Sequence, residues 1–166
     1  MKKIFFLVAF LTTITFQYSF AQDNTKITPL SPLLIPYYGI KNALASSNVK
    51  TAAVCAGELL KAINDIDMKA LLEADMKAFM PLQDKIIFDA KQIAENNGIE
   101  AQREYFSSLS NNIYKLAKAV KLSAEPVYQE YCPMKKMYWL SRETAIKNPY
   151  YGKAMLTCGK VTDTFK

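Results

Sequence analysis

The residues of this sequence best suited to chemistry are sulfur-bearing side chains gathered near its C-terminal end. Cys132 lies in the segment YCPMKKM, residues 131–137, and Cys158 lies in the segment MLTCG, residues 155–159. These two segments hold two of the three cysteines and three of the seven methionines, in a chain without histidine. Thiolate and thioether groups are soft ligands, and they select soft monovalent cations over zinc, magnesium or calcium. The sequence therefore suggests a sulfur-only site for Cu(I) or Ag(I).

Four side chains are the candidate ligands of such an ion. They are Cys132, Met134, Met155 and Cys158, with Met137 as a further candidate. Met155 precedes Cys158 by three residues, a spacing that puts two side chains on the same side of a helical turn. Methionine also fills irregular gaps in a protein core, so the same residues are compatible with simple packing.

Patterns typical of enzymes are missing from the sequence. Without histidine there is no Ser-His or Cys-His pair and no HExxH motif, and no glycine-rich phosphate loop is present. The acidic pairs Asp65 with Asp67 and Glu73 with Asp75 are expected to be solvated surface charge. We therefore predict a protein that is not an enzyme.

The first 21 residues have the layout of an export signal. Lys2 and Lys3 precede the apolar run 4–16, and small residues at Ser19 and Ala21 fit a cleavage site after Ala21. The apolar run is shorter than the roughly 20 residues that span a bilayer, and no later run is longer. These features predict a periplasmic protein without a membrane span once the signal is removed.

The remaining chain is expected to form one domain. Residues 22–31 are polar and aperiodic, and we interpret them as a disordered leader before a single domain over residues 32–166. Removing residues 1–21 takes away two lysines and no acidic residue, so 19 basic and 15 acidic residues leave a net charge of +4. This charge is spread along the chain without interleaved aromatic residues, so no nucleic-acid partner is expected.

An exported protein offers a second use for the two C-terminal cysteines. Disulfides are common in oxidising compartments, and a Cys132–Cys158 bond would close a loop of about 25 residues and contribute roughly 3 kcal/mol. Spacing alone favours this bond over a metal ion, whereas the neighbouring methionines favour the metal. Cys55 lies in the apolar segment 51–60 and is expected to be a small core residue.

Apolar residues at three- and four-residue spacing predict helices through the middle of the chain. The periodic segments are 32–45, 49–63, 68–94 and 99–120. Asn48 is a favourable N-cap for the second segment. Pro81 is expected to interrupt the third segment, and Gly98 to close it in a left-handed conformation. Amphipathic helices with short connections bury their apolar faces as antiparallel neighbours, so the predicted fold is an all-α bundle of about four helices.

The helical pattern ends near residue 124. Pro126, Pro133 and Pro149 follow, together with a high content of tyrosine and the chain's one tryptophan, Trp139. A short extended piece is expected at 127–131. We predict that residues 124–166 form an irregular extension held on the bundle by its aromatic side chains.

Four sequence motifs in combination resemble a bacterial family of exported domains catalogued without a known function. They are EAQREYFSSLS at 100–110, VYQEYCPM at 127–134, YWLS at 138–141 and IKNPYYGKAMLTCGKV at 146–161. Members of that family also occur joined to the periplasmic adaptor subunits of copper and silver efflux pumps. The resemblance implies periplasmic handling of Cu(I) or Ag(I), with Cys132, Met134, Met155 and Cys158 as ligands and an efflux adaptor or another envelope protein as partner.

Relatives that resemble this chain often carry histidines near the positions of Gln92, Ala101 and Tyr105. Their absence leaves a sulfur-only site, or a copy that has kept the fold and lost part of the metal function. The alternative is a disulfide-stapled helical module that docks on an efflux adaptor or another envelope protein without binding metal.

Overall fold

The computed structural model describes residues 27–166, and its larger part is a bundle of four helices. These are α1 (Leu34–Ala45), α2 (Val49–Asn64), α3 (Glu73–Glu95) and α4 (Ile99–Ala119). Short 3₁₀ turns at Ser31–Leu33, Met68–Ala70 and Gly152–Ala154 lie outside them. Along the chain, each helix packs against the next, and α1 also contacts α4. The predicted helical bundle is confirmed.

Local sequence explains where the helices begin and end. The Asn48 side chain accepts a hydrogen bond of 3.0 Å from the Thr51 backbone N–H, which caps α2 as predicted. Pro81 lies inside the continuous helix α3, so the predicted interruption there is wrong. Gly98 has an extended conformation with φ −100° and precedes α4, so it does not close α3 in a left-handed turn. The exposed position of Pro81 lets its ring sit on the solvent side of the helix.

The extension after residue 124 is not irregular, and the fold is therefore not purely α-helical. It contains three strands, β1 (Val127–Cys132), β2 (Met137–Ser141) and β3 (Lys160–Phe165), in an antiparallel sheet with β1 in the centre. A hairpin joins β1 to β2, and its turn is closed by Lys136 at φ 55°. Valine and aromatic residues favour strands, and Tyr131 packs against Tyr138 across the pair with ring centroids 4.6 Å apart and the ring planes tilted by 39°.

The predicted signal segment, residues 1–21, and its cleavage site lie outside the described residues. The predicted leader, 22–31, overlaps them at 27–31, and there Leu30 is fully buried. The Thr28 hydroxyl donates a 2.6 Å hydrogen bond to the Asp75 carboxylate of α3. No helix within residues 27–166 is both long and apolar enough to cross a membrane.

The hydroxyl group of Tyr37 joins the bundle to the sheet. Tyr37 is fully buried on α1, and its oxygen shares a 2.8 Å hydrogen bond with the Ser110 hydroxyl of α4. The same oxygen accepts a 2.8 Å hydrogen bond from the Leu140 backbone N–H of β2. Its ring stacks on Phe106 with centroids 5.4 Å apart. One side chain therefore fixes two helices and one strand relative to one another.

The far edge of the sheet is attached to α4 by charge and by aromatic contact. The Asp163 carboxylate on β3 accepts hydrogen bonds from the Tyr114 hydroxyl (3.2 Å) and the Lys118 ammonium group (3.1 Å). The ring of Phe165 packs edge-on against Tyr114, with centroids 5.8 Å apart. Because the Lys118–Asp163 pair is half exposed, solvent weakens it, and the rings provide most of the attachment.

A buried pair of opposite charges lies between α1 and the sheet. Lys41 is 3% exposed and Glu130 is 0% exposed, and each shifts the pKa of the other toward its charged form. Burial is nevertheless the larger effect and raises the pKa of Glu130 to about 7. The Trp139 indole lies near the carboxyl group and lowers its pKa slightly, but among the described residues neither completes a well-formed hydrogen bond. The Glu130 carboxylate is therefore poorly compensated.

Replacing Tyr37 by phenylalanine should destabilise the fold through the hydrogen bonds of its hydroxyl. We expect Tyr37→Phe to lower the free energy of unfolding by about 2 kcal/mol, because the Leu140 N–H and the Ser110 hydroxyl lose a buried partner. Tyr38→Phe is the matched control, since the Tyr38 hydroxyl is buried without a partner among the described residues. Urea denaturation would measure both, and equal losses in the two variants would contradict the assignment.

The Glu130 carboxyl predicts an unusual dependence of stability on pH. Its folded-state pKa of about 7 lies above the ordinary value of 4.5, so the folded state binds the proton more tightly, and stability falls as pH rises from 4.5 through 7. As pH rises through this range, we expect the free energy of unfolding of Glu130→Gln to increase by about 3 kcal/mol relative to that of the wild type.

Histidine cannot obscure this measurement, because the chain contains none. Lys41 acts in the opposite direction, since burial lowers its pKa and its contribution to stability rises with pH. The control is Glu143→Gln, because Lys147 lowers the pKa of Glu143, which therefore titrates below the range. Chemical denaturation at a series of pH values would test this, and parallel curves for the wild type and Glu130→Gln would refute it.

Candidate functional site

The two C-terminal cysteines reach one place because of the register of the sheet. Cys132 is the last residue of β1, is fully buried, and pairs with Met137 across the hairpin. On the other side of β1, Tyr131 pairs with Lys160, the first residue of β3. If this antiparallel pairing is continued by one residue, Cys132 lies opposite Gly159. Cys158, the residue before Gly159, therefore lies alongside the end of β1.

The loop that leads to Cys158 is ordered by one buried amide. The Asn148 side chain is fully buried, and its NH₂ group donates a 2.6 Å hydrogen bond to the Cys158 carbonyl oxygen. Its carbonyl oxygen accepts from the backbone N–H of Tyr150 at 2.8 Å. The Cys158 N–H in turn donates to the Met155 carbonyl at 3.1 Å. These bonds determine the path of the backbone on both sides of the Cys158 thiol.

Arg103 anchors the same loop to the bundle. This mostly buried residue of α4 donates a 2.9 Å hydrogen bond from Nε to the Pro149 carbonyl and a 3.2 Å bond from Nη2 to the Ser47 hydroxyl. Gly152 passes beside it with φ 56°, and an added Cβ there would lie 2.7 Å from Arg103 Nη2. The loop can approach the helices this closely only because residue 152 is glycine.

A second glycine permits the chain to enter β3. A Cβ at Gly159 would lie 2.9 Å from the Trp139 ring and 3.1 Å from the Tyr131 carbonyl oxygen. The Trp139 ring is itself fully buried and packs edge-on against Tyr150, with centroids 5.8 Å apart. Any larger residue at 159 would have to push β3, and with it Cys158, away from β1.

The outcome is a pair of neighbouring free thiols. Cys132 and Cys158 are not bonded to each other, and the Cys132 thiol is close enough to raise the pKa of the Cys158 thiol. Partial burial, followed by the neighbouring Cys132 thiol, raises the pKa of Cys158. The Cys158 thiol therefore keeps its proton at neutral pH, and a cation or an oxidant would have to displace that proton before this sulfur could bond.

The candidate methionines lie at the surface around this thiol pair. Met134 is in the hairpin turn and is 62% exposed, Met155 follows the Gly152–Ala154 turn and is 38% exposed, and Met137 is partly buried. The Lys135 ammonium group lies 5.5 Å from the centre of the Tyr151 ring, so the hairpin turn and the loop before Met155 are neighbours. The structure thus brings the two cysteines close together and leaves Met134 and Met155 exposed in the adjoining turn and loop.

Other residues named from the sequence lie on the helices. Cys55 is partly buried on α2, where its Sγ would lie 2.7 Å from a Cβ added at Gly39 of α1, so its position reflects close helix packing. Gln92 is on α3, and Ala101 and Tyr105 are on α4, all partly exposed. Within residues 27–166, no group of three or more His, Cys, Asp and Glu side chains is close enough to hold a metal ion.

Asn148, Arg103 and Gly159 position the site, and sequence reasoning did not single them out. The Asn-Pro dipeptide before Tyr150 was a signal for an ordered turn. Arginine is ordinarily found at the surface of a protein, yet Arg103 is 8% exposed. Besides Glu100 on the same helix, its partners include the Pro149 carbonyl and the Ser47 hydroxyl, which belong to distant segments that no helical periodicity can reveal.

The fold and the site together define an α-helical bundle that carries a small antiparallel sheet with a thiol pair at its edge. The chain belongs to the family described as "Protein of unknown function (DUF3347)", whose model matches residues 33–125. This confirms the predicted membership of a family without a known function. The matched region contains α1 to α4 and ends before β1, so both thiols lie outside it. No curated protein and no solved structure matches the chain.

Mild oxidation should join the two interacting thiols. We expect an oxidant such as a glutathione redox pair to form a Cys132–Cys158 disulfide with the loss of two hydrogen atoms, while Cys55 stays a free thiol. Peptide mass spectrometry after alkylation would identify the bonded pair. Cys55→Ser is the control and should oxidise in the same way. A disulfide that includes Cys55, or full alkylation of all three cysteines after oxidation, would contradict the contact.

Proposed function

We propose that this protein binds one Cu(I) or Ag(I) ion in the periplasm, through the thiolates of Cys132 and Cys158 and at least one neighbouring thioether. The observation that carries the proposal is the strand register, which brings Cys158 alongside Cys132 at the end of β1. Metal–thiolate bonds are about 2.3 Å long for a comparable ion, so two sulfurs that share an ion lie at most about 4.6 Å apart.

The donor set fits a soft monovalent ion. Two thiolates with one or two thioethers offer only sulfur, which matches a soft closed-shell cation and disfavours hard divalent cations. Cys158 is partly exposed, so an ion has access from solvent, whereas Cys132 is buried and would hold the ion away from water. Met155 and Met134 are exposed next to this entrance and would complete the coordination shell without displacing core residues.

The sequence motifs give the proposal its cellular setting. The family that the chain resembles occurs joined to adaptor subunits of copper and silver efflux pumps, which supports metal handling in the envelope. In this setting the protein would hold the ion or deliver it to an efflux adaptor, without catalysis. The export signal predicted at residues 1–21 supports the same compartment.

The test is a competition titration of reduced protein, residues 22–166, with Cu(I) and a chromogenic chelator. We expect one Cu(I) per chain, with Cys132→Ser and Cys158→Ser each binding at least about tenfold more weakly, because each loses a ligand to the ion. Met155→Leu and Met134→Leu should weaken binding less, and Cys55→Ser is the control that should leave it unchanged. Oxidised protein should not bind, since a disulfide has no thiolate.

Unchanged affinity in both serine variants would refute the sulfur site. A second function would then be favoured, a disulfide-stapled module that docks on an efflux adaptor or another envelope protein. The observation that favours it is the exposed apolar surface of Met134, Met155 and Leu156 near the thiol pair. Docking by the oxidised form, together with the absence of Cu(I) binding by the reduced form, would establish this alternative.

A further inference from the structure

A groove of about 420 Å³ runs along the outer face of α1, away from the residues proposed to bind metal. One wall is formed by one face of α1 and by the turn that precedes it. The other wall is formed by the connection between α4 and β1 and by the residue that follows β2. Its lining residues are Ser31, Leu34, Ile35, Tyr38, Gly39, Asn42, Leu122, Ser123, Glu125 and Arg142. This volume lies in the range of small-molecule sites.

The apolar part of the groove has a buried floor and an exposed wall. Leu34 and Leu122 are 4% and 3% exposed and form the floor, whereas Ile35 is 77% exposed. Contact of Ile35 with an apolar ligand would remove much of this surface from water, at roughly 25 cal/mol per Å² buried.

The polar part of the groove contains a buried phenol hydroxyl and a solvent-exposed guanidinium group. The Tyr38 hydroxyl is buried and has no partner among the described residues. Burial raises the pKa of Tyr38 to about 12, with a smaller opposing effect of Arg142, so the hydroxyl keeps its proton at neutral pH. Within residues 27–166 no ion pair includes Arg142, although its positive charge acts on Tyr38. A phenol and a guanidinium both donate, so the group that suits them is an anionic acceptor.

The remaining polar residues of the groove do not change this preference. The backbone N–H of Glu125 donates a 3.1 Å hydrogen bond to the Ser123 hydroxyl, and the exposed side chain of Glu125 is at the rim in contact with water. Its repulsion of an anion is therefore screened. Ser31 and Asn42 mark the two ends of the α1 stripe and can accommodate either charge.

We propose that this groove binds an alkyl carboxylate, with the carboxylate group at Arg142 and the Tyr38 hydroxyl and the alkyl chain on Leu34, Ile35 and Leu122. Arginine holds a carboxylate with two parallel hydrogen bonds, and the phenol supplies a further donor from the buried side. The stripe of α1 then receives the apolar chain. Because no lining residue is a proposed metal ligand, this site is independent of the proposed function.

Octanoate is a suitable probe, and NMR chemical-shift titration of the reduced protein, residues 22–166, would locate it. We expect saturable shifts of the residues that line the groove, and at least about tenfold weaker binding of octan-1-ol and octyltrimethylammonium, which lack the carboxylate. Absence of octanoate binding, or equal binding of either comparison compound, would overturn the proposal.

Two variants test the polar contacts separately. Arg142→Gln should weaken octanoate binding about tenfold, and Tyr38→Phe a few-fold, because each removes a donor to the carboxylate. The matched control is Lys50→Gln, which removes an exposed positive charge from α2 outside the groove. Circular dichroism would verify that each variant is folded. Equal binding by the wild type and Arg142→Gln, or an equal loss in Lys50→Gln, would show that the anion is not recognised at this place.

Discussion

The hydroxyl group of Tyr37 determines how the two halves of this molecule are joined. It connects α1 to Ser110 of α4 and to the Leu140 N–H of β2, all in the interior. A buried polar atom must keep its partners, so these three elements cannot slide relative to one another without a cost of about 1–3 kcal/mol for each unmet group. The positions of β2, and through it β1, follow from this junction. The thiol at the end of β1 therefore depends on a residue of the first helix.

The thiol pair depends on two further constraints that act on the other cysteine. The Asn148 amide fixes the carbonyl of Cys158, and Arg103 holds the loop through the carbonyl of Pro149. Gly159 then lets the chain pass within contact distance of Trp139. Cys132 is positioned by a strand, whereas Cys158 is positioned by a loop that several hydrogen bonds hold in place. This difference leaves Cys132 buried and Cys158 accessible from solvent.

The region matched by the family model and the region that carries the sulfur atoms are different parts of the chain. Residues 33–125 contain the four helices, and the thiols belong to the sheet that follows them. The bundle is thus a scaffold that presents a sheet edge and a loop, where small changes alter chemistry without disturbing the helical core. The poorly compensated Glu130 lies where the sheet packs against α1. The burial of its carboxyl group therefore lowers the stability of the protein at this attachment.

The sequence by itself determined the helices, the cap at Asn48 and the grouping of sulfur at residues 131–137 and 155–159, because these depend on periodicity and on neighbouring residues. Only the tertiary structure decided that Pro81 stays inside a helix and that the C-terminal segment forms a sheet. The proximity of Cys132 and Cys158 likewise follows from strand register and from the Arg103 and Asn148 hydrogen bonds. Those interactions join residues far apart in the chain, and local propensity contains no information about such partners.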